Sequence, residues 1–248
     1  MTFLTHELMD HNDVSLEFAN EHSTIFTNHH FEKTFESASL IKLPIMIYIF
    51  NQLNDDEMQE SLAIDQSVGG SGVLQSLHVR QLSIRDLVYL MIVVSDNTAT
   101  NILIDHFGLH HINQFIEIDL KCTETKLNRR MMDEQAIAEG KQNITSAQDI
   151  IRILRYITRH TRSKEMLDIL HEQHLNDKVS IYQSFYDSKL KFHSKTGEYD
   201  NVINDVGIIQ HHDTLYYYCF LSNTKTPEKA IQFSHDFGSY MIHSILNE

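Results

Sequence analysis

Residues 39–44 read Ser39-Leu40-Ile41-Lys42-Leu43-Pro44 and open an apolar run over 40–50 that only Lys42 and Pro44 interrupt. The run is about half the length needed to cross a bilayer, so it predicts a buried helix. On a helix, residues three apart share a face, which sets the Ser39 hydroxyl beside the Lys42 amine. The pair reads either as a capping serine with a solvated lysine, or as a serine nucleophile with its base.

Two further strings repeat the spacing, Ser188/Lys191 and Ser222/Lys225. Both sit beside predicted strands and turns, where three-residue spacing does not bring side chains to one face. From Ser39 outward the texture is helical to about Gln173. LSIRDLVYLMIVV opens with Ser83 and has Asp86 three residues on, and TSAQDIIRILRYI opens with Thr145 and has Gln148 in the capping-box position. The second helix carries Ile150, Ile151, Leu154 and Ile157 on one stripe, which belongs against a core.

Strand patterns flank this middle: VSLEF and STIFT before it, and LKFHSKTG, NVINDVGIIQ and TLYYYCFLSNT after it. Thr226 and Pro227 open a closing helix. The expected fold is α/β of the α+β type: an antiparallel sheet built from both chain ends with flanking helices, plus an inserted all-helical subdomain. The chain is expected to be a single catalytic unit, with a sheet subdomain over 1–36 and 188–248 and a helical one over 37–187. The cleft between two such parts is a favoured ligand site.

Composition narrows the function. With 248 residues, 42% of them hydrophobic, the chain can bury a substantial core. A formal net charge of −14 disfavours nucleic acid and anionic membrane surfaces as partners. The N-terminus has neither a basic segment nor an apolar stretch of signal length, so the chain as written is expected to be cytoplasmic, or secreted if a targeting segment was removed. Cys122 and Cys219 lack metal or redox spacing and read as free buried thiols. There are 17 histidines, but the nearest approach to a metal motif, His171 and His174, lacks the spacing of a zinc helix. Neither metal nor cofactor is expected, and the oligomeric state is left open.

Two strings complete the reading: Ser95-Asp96-Asn97 at the end of the LVYLMIVV helix, and Lys195-Thr196-Gly197 in the first C-terminal strand. They follow Ser39/Lys42 in order, 56 and 100 residues apart, and the set of three resembles the motifs of the class A β-lactamases and related penicillin-recognising serine enzymes. Taken singly, Ser39 could cap a helix, Asn97 could cap the next one, and Lys195 could be a solvated edge-strand charge. The resemblance, which covers nearly the whole chain, implies a β-lactamase or penicillin-binding transpeptidase-like fold.

It also implies roles. Ser39 would be the nucleophile and Lys42 its base, with burial and Lys195 depressing the Lys42 pKa. Ser95 would relay a proton to the leaving nitrogen, and Asn97 would hold the substrate's amide side chain. Lys195 and Thr196 would bind a substrate carboxylate, and Gly197 would let the strand come close. The backbone N–H groups of Ser39 and Glu198 would form the oxyanion hole.

One segment departs from the family pattern. Where the family carries a glutamate that activates the deacylating water, the sequence from Leu127 has Met131, a thioether that cannot take a proton at neutral pH. Asp133 and Glu134 are the nearby acids that could stand in, and Gln135 falls where the family holds its water with asparagine. The acidic partner of the loop arginine is replaced by Asn143. The expected function is a serine hydrolase that forms an acyl-enzyme with a β-lactam or related amide or ester and releases it slowly. The alternatives are a D-alanyl peptidase or esterase, and a non-hydrolytic penicillin-binding sensor.

Overall fold

The computed structural model describes residues 12–28 and 30–247; most of the stretch searched for a targeting signal, and His29 of the 29–30 pair, lie outside them. The chain begins with a hairpin of β1 (Val14–Asn20) and β2 (Thr24–Thr27). Its turn is made by Asn20, whose side-chain oxygen accepts from the backbone N–H of His22 and of Ser23, each at 2.9 Å. After the helical middle come β7 (Lys191–Tyr199), β8 (Val202–His211) and β9 (Thr214–Ser222). The five strands form one antiparallel sheet in the order β2-β1-β9-β8-β7, so the two chain ends meet along β1 and β9, and β7 is an edge.

Alternation along β9 explains why the run YYYCFL is a strand without a polar face. Tyr216, Tyr218 and Phe220 pack with Phe237 and Met241 of the closing helix, α9 (Pro227–Leu246), while Tyr217, Cys219 and Leu221 join the core under the other helices. The predicted stripe Ile150, Ile151, Leu154 and Ile157 is buried against that second face, on α6 (Ala147–Arg159). Each such side chain stabilises the fold by about 1.5–3 kcal/mol.

The middle contains α1 (Lys42–Gln52), α2 (Ile84–Val93), α3 (Asn97–Phe107), α4 (Leu109–Ile118), α5 (Glu134–Ala138), α6, α7 (Ser163–His171) and α8 (Gln183–Tyr186). It is not all helical, contrary to expectation. β4 (Ser61–Ala63) pairs with β5 (Gln81–Ser83), and β3 (Thr34–Glu36) pairs with β6 (Ile144–Ser146). These short ladders sit in stretches with no long apolar period, where pairing between strands satisfies the backbone instead of helix.

Caps also moved. Ser83 accepts from the Asp86 N–H as expected, but α6 is capped by Ser146, which takes the Asp149 N–H, and not by Thr145, whose hydroxyl meets Thr125 at 2.8 Å. Thr226 sits at the cap of α9 without capping through its side chain; its hydroxyl lies 3.1 Å from that of Thr224.

Candidate active site

Ser39 caps no helix. It lies inside a 3-10 turn (Ala38–Ile41) that runs directly into α1, whose first residue is Lys42. Ala38 takes φ 44° just before it, a left-handed conformation that a non-glycine residue adopts at a cost. The turn is held from two sides. Asn204 of β8, fully buried, donates to the Glu36 and Ser37 carbonyls at 2.9 and 3.3 Å, and the Ser37 N–H donates to the Asn143 carbonyl at 2.8 Å.

The Lys42 amine is buried among four oxygens: Ser39 Oγ at 3.0 Å, Ser95 Oγ at 3.0 Å, the Ser95 carbonyl at 2.7 Å and Asn97 Oδ1 at 2.9 Å. The carbonyl and the amide oxygen can only accept. They therefore occupy the two hydrogens of a neutral amine and leave its lone pair for a hydroxyl. Burial pushes the Lys42 pKa well below the ordinary lysine value, Lys195 lowers it further, and Asp96 opposes. A fully buried amine with a second amine nearby favours the neutral form.

Ser95, at φ 55°, occupies the bend between α2 and α3, and Asp96 caps α3 through the Ala99 N–H. The other Asp96 oxygen accepts from Val73 and Leu74 N–H at 2.7 and 2.8 Å, and Asn97 Nδ2 donates to the Gly69 carbonyl at 3.1 Å. This folds the 69–74 segment against the bend. A side chain at Gly72, φ 109°, would strike Asp96 at 2.3 Å. That wall was missed in the sequence, although Gly69, Gly70 and Gly72, three of the chain's eight glycines, mark it.

Lys195 reaches over from β7: Nζ donates to Ser95 Oγ at 3.1 Å and to the Thr196 carbonyl at 2.7 Å. Burial brings its pKa down to about 7, with Asp205 opposing and Lys178 assisting. Asp205, buried on β8 opposite Thr196, is pushed up to about 7 by burial, against hydrogen bonds from Ser180 and Tyr218. Gly197 lies against the Ser39 turn; a Cβ there would sit 2.8 Å from the Ser37 carbonyl and 3.1 Å from the Ser39 nitrogen. Strand β7 can approach this closely only with glycine at that position. It brings the Ser39 and Glu198 backbones to one rim.

A cavity of about 280 Å3 lies between these elements, with Ser39, Asn97, Arg129, Met131, Met132, Glu134 and Glu198 among its walls. Asn101, one turn beyond Asn97 on α3, brackets Met131: its Oδ1 accepts the Met131 N–H at 2.8 Å and its Nδ2 donates to the Met131 carbonyl at 3.1 Å. Asn143 holds the same loop through the Asn128 and Arg129 backbones, while Gln142 accepts from the Arg129 guanidinium at 2.9 and 3.0 Å.

Of the two stand-in acids, Asp133 is occupied as the cap of α5, and Glu134 lines the cavity. Gln135 does not face it; its amide donates to Glu139 at 3.2 Å on the exposed side. Among the described residues, 39/42 is the one Ser-x-x-Lys string whose hydroxyl and amine meet. Ser188 and Lys191 line a separate open cavity of about 860 Å3 with His211 and His212, and Ser222 Oγ is buried without a partner. Cys122 and Cys219 are free and buried, as read from their spacing.

A sequence profile described as the Beta-lactamase enzyme family matches residues 11–240. The chain belongs to that family. Its fold is that of the class A enzymes, and the family makes it a serine hydrolase. A beta-lactamase from Sphaerobacter thermophilus superposes with a TM-score of 0.83 at 28% identity, over 93% of this chain and 90% of that one. A mutant of PBP-A, in an acyl-enzyme complex with penicillin G, matches with a TM-score of 0.76 at 24% identity, over 93% and 90%. A class A beta-lactamase from Bacteroides cellulosilyticus matches in fold at 0.81 with 15% identity, over 95% and 92%. No curated protein matches the sequence significantly. No described helix is long and apolar enough to cross a membrane.

Proposed function

We propose that this family member attacks β-lactams, or related amides and esters, with Ser39 and holds the resulting acyl-enzyme for a long time. The observation that carries the reading is the Lys42 amine, 3.0 Å from Ser39 Oγ, with the Ser95 carbonyl and Asn97 Oδ1 occupying two of its hydrogen-bonding positions. A neutral amine so placed takes the Ser39 proton as the hydroxyl attacks the carbonyl carbon. The developing oxyanion would be met by the Ser39 and Glu198 N–H groups. Ser95, linked at once to Lys42 and Lys195, is suited to pass the proton to the leaving nitrogen. Asn97, Lys195 and Thr196 would bind the substrate's polar groups.

Release is the step that lacks equipment. Met131 stands on the cavity wall where water would be activated, and a thioether is no base at neutral pH. Of the two acids considered for the task, Glu134 alone lines the cavity, and it is exposed. Persistent acylation favours a penicillin-binding or sensor-like role over rapid antibiotic destruction. The test is intact-protein mass spectrometry after brief exposure to penicillin G. A one-to-one adduct that maps to Ser39, survives for many minutes and is absent from Ser39→Ala is expected; turnover with no detectable adduct, or an adduct elsewhere, would overturn the reading.

A further inference from the structure

Beside the expected carboxylate-binding residues sits an acid that belongs to the protein itself. Glu198 follows Gly197 on β7, and strand alternation puts it on the same face as Thr196. Its Oε2 lies 2.8 Å from Nζ of Lys178, a lysine whose side chain is only 3% exposed and whose amine also meets Asp177 at 2.8 Å. Burial works against the charge on Lys178, and the hydrogen bonds to Asp177 and Glu198 outweigh it, leaving its pKa raised. The neighbouring amine, Lys195, already gives two hydrogen bonds, to Ser95 Oγ and the Thr196 carbonyl, and Asp205 lies opposite Thr196 across the β7–β8 ladder. At this corner Lys178 thus already meets two carboxylates, Asp177 and Glu198. A free acid arriving at Thr196 would be a third, set against Glu198, which also walls the cavity that holds Ser39.

Taking Ser39 acylation as proposed above, we propose that the Lys178–Glu198 ion pair fills the carboxylate position of this cavity. The enzyme then prefers acyl donors that are uncharged at that position, neutral esters and amides, over free acids. Like charges set side by side discriminate against the wrong ligand more than matched charges add affinity. Because the Glu198 side chain is 58% exposed, solvent screens the repulsion, and the expected discrimination is about tenfold.

The test compares penicillin G, a free acid, with its methyl ester on the wild-type protein and on Glu198→Gln. Acylation of Ser39 is timed by quenched mass spectrometry, and each rate is divided by that compound's hydroxide hydrolysis rate. The glutamine keeps the backbone N–H and the side-chain length, and a thermal melt checks the fold. The wild type should favour the ester by about tenfold, and Glu198→Gln should bring the normalised acid and ester rates to within about twofold of each other. Labelling by both compounds with a ratio that the substitution leaves unchanged would overturn this proposal alone. Failure of both compounds to label Ser39 in either protein would overturn the proposed function and this proposal with it.

Discussion

The two sides of the cavity are held with equal care and equipped differently. On one side, the Ser39 turn, the Ser95 bend and β7 direct hydroxyls and amines at one another within 3.1 Å. On the other, the loop from Leu127 to Asn143 is pinned through its backbone by Asn101 and Asn143 and through Arg129 by Gln142, yet it presents Met131 and Met132 to the cavity. Ordered backbone and catalytic equipment are separate properties. Amides order the loop, but on the reading proposed above they supply no base for a deacylating water.

The comparison breaks most sharply at Lys42. Lys42→Ala should slow Ser39 acylation by about 10²–10⁴-fold, the usual worth of a positioned base, in a stopped-flow assay with a chromogenic β-lactam. A loss below tenfold would mean the amine is not the acylation base. Gly197→Ala should cost about 10²-fold in the same assay, because its methyl would press on the Ser37 carbonyl and displace the oxyanion donors.

On the loop side the effects are structural. Asn143→Ala removes partners of the Asn128 and Arg129 N–H groups and of the Arg129 carbonyl, and should destabilise the protein by about 1–3 kcal/mol in urea unfolding. Acylation should stay within about threefold of wild type, since the substitution spares every partner of Lys42. A collapse of acylation would show that the two sides are coupled.

A smaller, graded effect tests the burial of Lys195. Burial, the strongest influence on it, holds its folded pKa at about 7 against an ordinary 10.5, so the unfolded chain binds the proton more tightly. Wild-type stability relative to Lys195→Met should therefore rise between pH 7 and 10.5 and be flat below about pH 6. Paired thermal melts across that range check the sign; a flat difference throughout would place an ordinary lysine there.

Much of this was legible in the chain. The end strands, the stripe on α6 and the three strings were readable because each has a local period or spacing. What escaped depends on contacts between segments distant in sequence. The 69–74 wall carries a glycine cluster but needs Asp96 to give it meaning, and Asn101 is one turn from Asn97 yet acts on Met131. Asp205 was visible as an acid inside the apolar run VINDVGII, and Lys178 had no local mark; their burial and pairing exist only in the folded sheet. The cap of α6 shifted by one residue because Thr145 is engaged with Thr125 across the loop, a contact no propensity encodes.

The account divides the reaction between two sides, and Met131→Glu tests that division most directly. With penicillin G, both the formation and the loss of the Ser39 adduct are followed by time-resolved mass spectrometry. Formation should stay within about threefold of wild type while loss accelerates by about 10²-fold or more, as a carboxylate arrives where the thioether stood. If the wild type already sheds its adduct as fast as the variant, or if the variant slows formation and leaves loss unchanged, the division is wrong.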